Sequence, residues 1–191
     1  MRKYRKIGID IDNTMTNIST TLEAMGDFFG THTPELIEIT EYSLSSVFGF
    51  HKKVEIDFWN AMNERIIENS ILEESRFDKM LGLFTDENTD IYIITSRDVK
   101  YYEQTINWLL GNGVFFKDIY FTNGESKLEV IHNIGLEAII DDNPDLFYEV
   151  QQHKYTRDIT VLGQLHRICV DYPYNQNVPC EIRLNRDGEI M

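Results

Sequence analysis

The sequence predicts an α/β fold: a parallel β-sheet with helices on both faces and a small helical block inserted after the first strand. Three observations carry that expectation. The runs at 6–11, 90–95 and 136–140 are rich in isoleucine and almost free of interior polar residues, the pattern of strands buried on both faces. From position 90 onward such runs alternate with helical patterns, as strand–helix–strand units require. Between the first two strands the chain is far longer than an ordinary crossover and has helical periodicity of its own.

Each element has its own justification. Strand one, 6–11, is apolar until Asp10. In the inserted block, a helix over 20–29 places Leu22, Met25, Phe28 and Phe29 on one face. A second over 54–67 does so with Ile56, Trp59, Met62, Ile66 and Ile67. A third over 71–84 turns Phe77, Leu81 and Phe84 inward. The boundaries read as a core of 1–15 plus 86–191 and a cap subdomain of 16–85. Asp98 is a candidate N-cap for a helix ended by Gly111 or Gly113. A strand over 118–121 leads to the Asn123-Gly124 turn. Ser126-Lys127-Leu128-Glu129 has the form of a capping box. Asn143-Pro144 reads as an N-cap with proline at the first helical position. A further strand is expected near 159–162 or 167–170, and 180–188 fits a short hairpin.

Composition narrows the function classes. The 191 residues suit one domain with an insertion, and 42% hydrophobic residues suffice for a core. A formal net charge of −14 argues against nucleic-acid duplexes and anionic membranes as partners, because both select basic surfaces. Cys169 and Cys180 form no CxxC, and the five histidines have no metal-ligand spacing. The start, Met-Arg-Lys-Tyr-Arg-Lys, runs directly into a strand without a signal peptide's apolar region, and no stretch is long enough to span a bilayer. The expected location is a reducing cytoplasm.

The chemistry concentrates where strands end. Ligands of open α/β sheets bind beyond the strands' carboxyl ends. Asp10 and Asp12 close the first strand, Thr95 and Ser96 the second, and Asp141 and Asp142 a later one. Lys127 sits at a helix start between them. Aspartates are depleted in strands and rarely buried without a partner, so two such pairs call for a divalent cation. Mg²⁺ would take oxygens from Asp10, from the backbone at Asp12, and from Asp141 or Asp142. Asp10 and Asp12, two apart in extended chain, point the same way. One can attack a phosphorus atom while the other protonates the leaving oxygen and later deprotonates water. Thr95 or Ser96 would donate to phosphate oxygens, and Lys127 would offset developing negative charge. Tyr42, Phe58 and Trp59 are candidate substrate contacts within the insert.

With these motifs in this order, the chain resembles the haloacid dehalogenase superfamily of phosphohydrolases. Asp10-Ile11-Asp12-Asn13-Thr14 is similar to its first motif, Thr95-Ser96 to its second, Lys127 to its third and Asp141-Asp142 to its fourth. Asn13 stands where glycine is frequent. Ile39-Thr40-Glu41-Tyr42-Ser43-Leu44, Phe58-Trp59 and Asp171-Tyr172-Pro173-Tyr174-Asn175 resemble bacterial nucleotidases related to the 5'(3')-deoxyribonucleotidases. The resemblance implies a Rossmann-like fold, an inserted cap of the first type and Mg²⁺ dependence, with metal ligands among Asp10, Asp12, Asp141 and Asp142. It implies that Asp10 is the nucleophile, passing through an aspartyl-phosphate, and that Asp12 is the acid/base. It also implies a small phosphorylated substrate, a nucleoside monophosphate, and a cap surface on which a homodimer can form. Two alternatives stay open: a phosphatase for another small ester, and a phospho-receiver or binding module. A phosphonate-cleaving relative would need an activated cap lysine, and nothing marks Lys52 or Lys53 as one.

Overall fold

The structure, a computed structural model, describes residues 2–154 and 164–191. Strands β1 (Lys6–Ile9), β2 (Asp90–Thr95), β3 (Asp118–Phe121), β4 (Ala138–Asp141), β5 (His166–Val170) and β6 (Ile182–Leu184) form one sheet in the order β3-β2-β1-β4-β5-β6. All five pairings are parallel. From β1 the chain steps outward through β2 and β3, then crosses to the other side for β4, β5 and β6. The direction reverses between β1 and β4, and a crevice opens there beyond the carboxyl ends.

Alternating side chains build two core layers. Ile7, Ile9, Ile93, Ile140 and Ile168 face one side; Tyr92, Ile94 and Ile139 face the other. Helices α6 (Leu128–Ile134) and α7 (Pro144–Lys154) cover the second side with Ile131, Leu146 and Val150. Helix α5 (Tyr102–Gly111) covers the first with Trp108 and Leu109. The same layer continues into the four helices that lie between β1 and β2. These are α1 (Ser19–Phe29), α2 (Leu44–Phe48), α3 (Lys52–Asn69) and α4 (Glu74–Phe84). Gly8 shows how tightly the layers close on β1. A Cβ there would lie 2.6 Å from Leu136 Cδ1 and 2.7 Å from Ile139 Cδ1, so the central strand carries no side chain at this point.

Most expected elements form, and the departures have local causes. β1 ends at Ile9 instead of residue 11, because the Ile11 carbonyl accepts from Met15 and Thr16 N–H and closes a turn. In α3, Ile56 is exposed and Phe58 takes the inward position expected of it. α4 starts at Glu74, leaving Ile71 exposed while Leu72 bridges to Thr16. The capping box at 126–129 does not form: Lys127 is the N-cap and Ser126 Oγ instead donates to Glu149 Oε2 at 2.6 Å. The Asn143-Pro144 start does form, with Asn143 Oδ1 accepting from Asp145 N–H. The tail is not a simple hairpin. Ile182–Leu184 adds to the sheet parallel to β5, and the Asn185 turn only brings Ile190 back beside Leu184. The strand candidate at 159–162 lies outside the described residues.

Candidate active site

The turn after β1 sets the geometry. Asp10 N–H still donates to Ile140 O, which keeps Asp10 at the rim between β1 and β4. Asn13 then takes φ 60°, a left-handed conformation that asparagine tolerates better than most residues. Its carbonyl accepts from Tyr172 OH at 2.8 Å and from Arg76 Nη1 at 2.9 Å, which ties the turn to β5's outgoing loop and to α4. Its N–H donates to Thr16 Oγ1. So Asp12 leaves from a turn, not from extended chain, and the expectation that it points the same way as Asp10 is only partly met. Both line the cavity, but they meet different partners.

Lys127 joins the rim. A turn with Asn123 and Gly124 at positive φ delivers it to the start of α6. Its ammonium is buried and donates to Asp10 Oδ1 at 2.6 Å and to Asp141 Oδ2 at 2.8 Å. Asp142, next in the chain, accepts from Tyr174 OH, from Thr14 Oγ1 at 3.3 Å and from Asn13 Nδ2 at 3.4 Å. Carboxylate oxygens of Asp10, Asp141 and Asp142 lie within 4.8 Å of one another, all three residues buried.

The electrostatics follow from that crowding. Burial pushes Asp10 well above the usual carboxylate range; Lys127 pulls it down, while Asp141 and Asp142 push it further up. Burial likewise raises Asp142, to about 7, with Asp141 adding to the rise and the Tyr174 hydrogen bond opposing it. Burial works against the Lys127 charge, but Asp10 and Asp141 outweigh it and raise the ammonium's pKa. Three carboxylates against one ammonium leave two negative charges uncompensated if all ionise. That deficit, an all-oxygen donor set and close spacing fit a hard divalent cation.

Thr95 and Ser96 divide their work. Thr95 is fully buried, its Oγ1 accepting from Arg97 N–H at 3.2 Å and its carbonyl from Thr122 N–H. Ser96 lines the cavity. The cavity, about 880 Å³, runs from this rim to the inserted helices, where Tyr42 and Trp59 line it. Tyr42 packs edge-on against Tyr174, which stacks on Tyr172. Phe58 is elsewhere: it is fully buried among Phe28, Phe29 and Trp59, in the core and not on the cavity wall. A period of 3.6 puts neighbours Phe58 and Trp59 on different faces of α3, so they cannot share a role.

Sequence reasoning missed Arg97, Arg76 and Tyr174. Arg97 is buried and donates through Nε and Nη2 to both oxygens of Asp12, at 2.9 and 2.7 Å. Its adjacency to Ser96 was the one available signal. Tyr174 lay in a run noted only for its resemblance, and Arg76 reads as an ordinary helix-surface cation.

Comparison with known proteins agrees with this geometry. No protein-family model matches the chain. A protein of Halalkalibacterium halodurans, provisionally named a nucleotidase, is 28% identical over 178 residues, 92% of this chain and 84% of that one. Among solved structures, a magnesium-bound haloacid dehalogenase-type hydrolase of Bacillus subtilis superposes with a TM-score of 0.56 at 16% identity, over 95% of this chain and 94% of that chain. A subfamily IA hydrolase of that superfamily from Geobacter sulfurreducens gives 0.53 at 12% identity, over 96% and 93%. The chain thus shares the fold of haloacid dehalogenase-type hydrolases, with an acidic rim at the carboxyl ends of its strands. The sequence likeness to the Halalkalibacterium protein runs along nearly the whole chain.

Proposed function

We propose that the chain is a Mg²⁺-dependent phosphomonoesterase acting on nucleoside monophosphates through an aspartyl-phosphate on Asp10. The observation that carries this is Lys127 bridging Asp10 and Asp141 at a buried rim that opens into a substrate-sized cavity. Asp10 attacks the phosphorus in line, and the ester oxygen departs with a proton from Asp12. Asp12 then takes a proton from water, which attacks the acyl-phosphate and regenerates the Asp10 carboxylate with release of inorganic phosphate. Lys127 fixes Asp10 and faces the charge that grows on the transferring group. Ser96, on the cavity wall, is the donor for a phosphate oxygen; Thr95 holds the turn beneath it. Asp10, Asp141 and Asp142, with the backbone at Asp12, would hold Mg²⁺. When bound, the ion supplies charge neutralisation and orientation of the phosphate.

The nucleotide assignment draws support from the cavity's reach past the rim and from Tyr42 and Trp59 on its wall, aromatic faces on which a base can stack. The block 16–85 acts as the cap, and a reducing cytoplasm is the compartment this chemistry suits. No helix among the described residues is long and apolar enough to cross a membrane. The test is phosphate release from a panel of nucleoside monophosphates and sugar phosphates, with and without EDTA. Preference for nucleotides, abolished by EDTA, is expected. Preference for sugar phosphates moves the substrate class, and a stable phosphoprotein without turnover makes the chain a receiver.

A further inference from the structure

We propose that Arg97 is the positioning residue for the acid/base of this site, holding Asp12 by a two-pronged guanidinium grip from which Asp12 works. The inference rests on the phosphatase reading above. Asp12 cannot be placed by the strand, since β1 has ended and the chain is turning through Asn13. Its carboxylate is about two-fifths exposed and so lacks a packed wall of its own. Arg97 supplies the wall. Its side chain is 5% exposed, and Nε and Nη2 reach Asp12 Oδ2 and Oδ1 at 2.9 and 2.7 Å. Fork-to-fork geometry of this kind fixes the plane of a carboxylate as well as its position.

Arg97 is itself anchored on several sides. Its Nη1 donates to Thr105 Oγ1 on α5 at 3.2 Å, and its guanidinium carbon lies 6.0 Å from the Trp108 ring centroid. Its N–H donates to Thr95 Oγ1 at the end of β2, and its carbonyl accepts from Asn123 N–H. The anchor therefore runs from β2 and α5 across to the β1 turn. If Asp12 left to meet the substrate, a buried guanidinium would lose its anionic partner, a strongly unfavourable state. Asp12 therefore delivers and collects protons while still gripped, and both Arg97 and the substrate's ester oxygen must be within its reach.

This makes a prediction that a merely structural arginine does not. Loss of a positioned acid slows departure of a poor leaving group far more than departure of 4-nitrophenolate, which leaves without a proton. Arg97→Lys and Arg97→Gln are compared with Asp12→Asn and wild type on phenyl phosphate and 4-nitrophenyl phosphate, with kcat and KM resolved and folding checked by thermal melting. The expected result for Arg97→Lys is a loss of kcat/KM, which reports departure of the ester oxygen and not hydrolysis of the shared aspartyl-phosphate, about tenfold larger on phenyl phosphate than on 4-nitrophenyl phosphate. Arg97→Lys keeps the buried charge, so it carries the test if Arg97→Gln fails to fold. Equal losses on both esters, or no loss, while Asp12→Asn shows the leaving-group bias, would overturn the role of Arg97 and leave the acid role of Asp12 standing. Absence of the bias in Asp12→Asn itself overturns the acid role, and the Arg97 inference falls with it.

Discussion

At the scale of single residues the site is a contest between like charges. Asp10 sits among two other buried carboxylates, and what keeps it usable is the Lys127 ammonium at 2.6 Å. Replacing Asp10 with Asn keeps the side chain's shape and an oxygen to accept from Lys127 but removes the proposed nucleophile. Turnover of any phosphomonoester by Asp10→Asn should fall by about a thousandfold or more, and acid-quenched protein should carry no phosphate where wild type does. Turnover near the wild-type rate would remove Asp10 from the covalent step. Lys127 illustrates why a residue's place at the rim is readable from sequence only through its neighbours. An isolated lysine at a helix start is slightly disfavoured by the dipole, a weak hint. The structure instead buries the side chain and gives it two carboxylate partners, which local propensity cannot encode.

At the scale of elements, α3 puts one aromatic wholly inside the core and its neighbour half on the cavity wall. Phe58 belongs to the core and Trp59 to the cavity wall. Phe58→Ala should cost about 3–5 kcal/mol of folding free energy in a urea melt, from lost burial plus a cavity. Trp59→Ala, which removes a half-buried ring packed on Phe58, should cost less in the melt than Phe58→Ala and raise KM for nucleotides several-fold; a Trp59 variant with unchanged KM would take it off the substrate path. The same helix ties down α2. Glu55 accepts from Leu44 and Ser45 N–H, from Ser43 Oγ at 2.8 Å and from Lys52 Nζ at 2.9 Å. Burial alone would raise its carboxyl, but these hydrogen bonds, Lys52's first, hold it near 2 against an ordinary 4.5. A depressed carboxylate stabilises the fold above the ordinary value, and that stability is lost as pH falls from about 4.5 towards 2. Urea melts of wild type and Glu55→Gln at pH 6 and pH 3 should show the wild-type advantage shrinking by an amount on the order of 2 kcal/mol. Added salt should weaken only the Lys52 part, because that ammonium is largely exposed. An advantage that is constant with pH would deny Glu55 this role.

At the scale of the whole molecule, the parallel sheet and the acidic rim were legible in the sequence because both depend on short patterns: an apolar run, then a carboxylate. Asp10, Lys127, Asp141 and Asp142 converge as those patterns require. What was not legible depends on partners distant in the chain. Arg97 gripping Asp12, Arg76 on the Asn13 carbonyl, and β6 pairing with β5 instead of folding back on itself are all set by packing between elements. The site also works against the molecule that carries it. A chain with a net charge of −14 repels anions at long range, so on the proposed reading the attraction for a phosphate ester would be made locally by Lys127 and a bound cation. Mg²⁺ that binds only the folded state should therefore stabilise it by mass action, about 2.7 kcal/mol at a hundred times its Kd. For a chain of this length that is a rise in Tm of about 5–10 °C. Asp142→Asn should reverse part of the balance. With one repelling carboxylate removed, the metal-free protein should melt higher than metal-free wild type, while the Mg²⁺-induced rise should shrink. Calorimetric titration with inorganic phosphate should give an affinity weaker by at least about tenfold in EDTA than in Mg²⁺. Equal phosphate affinities in the two conditions, with no Mg²⁺-dependent change in Tm, would mean that Lys127 alone satisfies the cluster and that the two leftover charges are never both present.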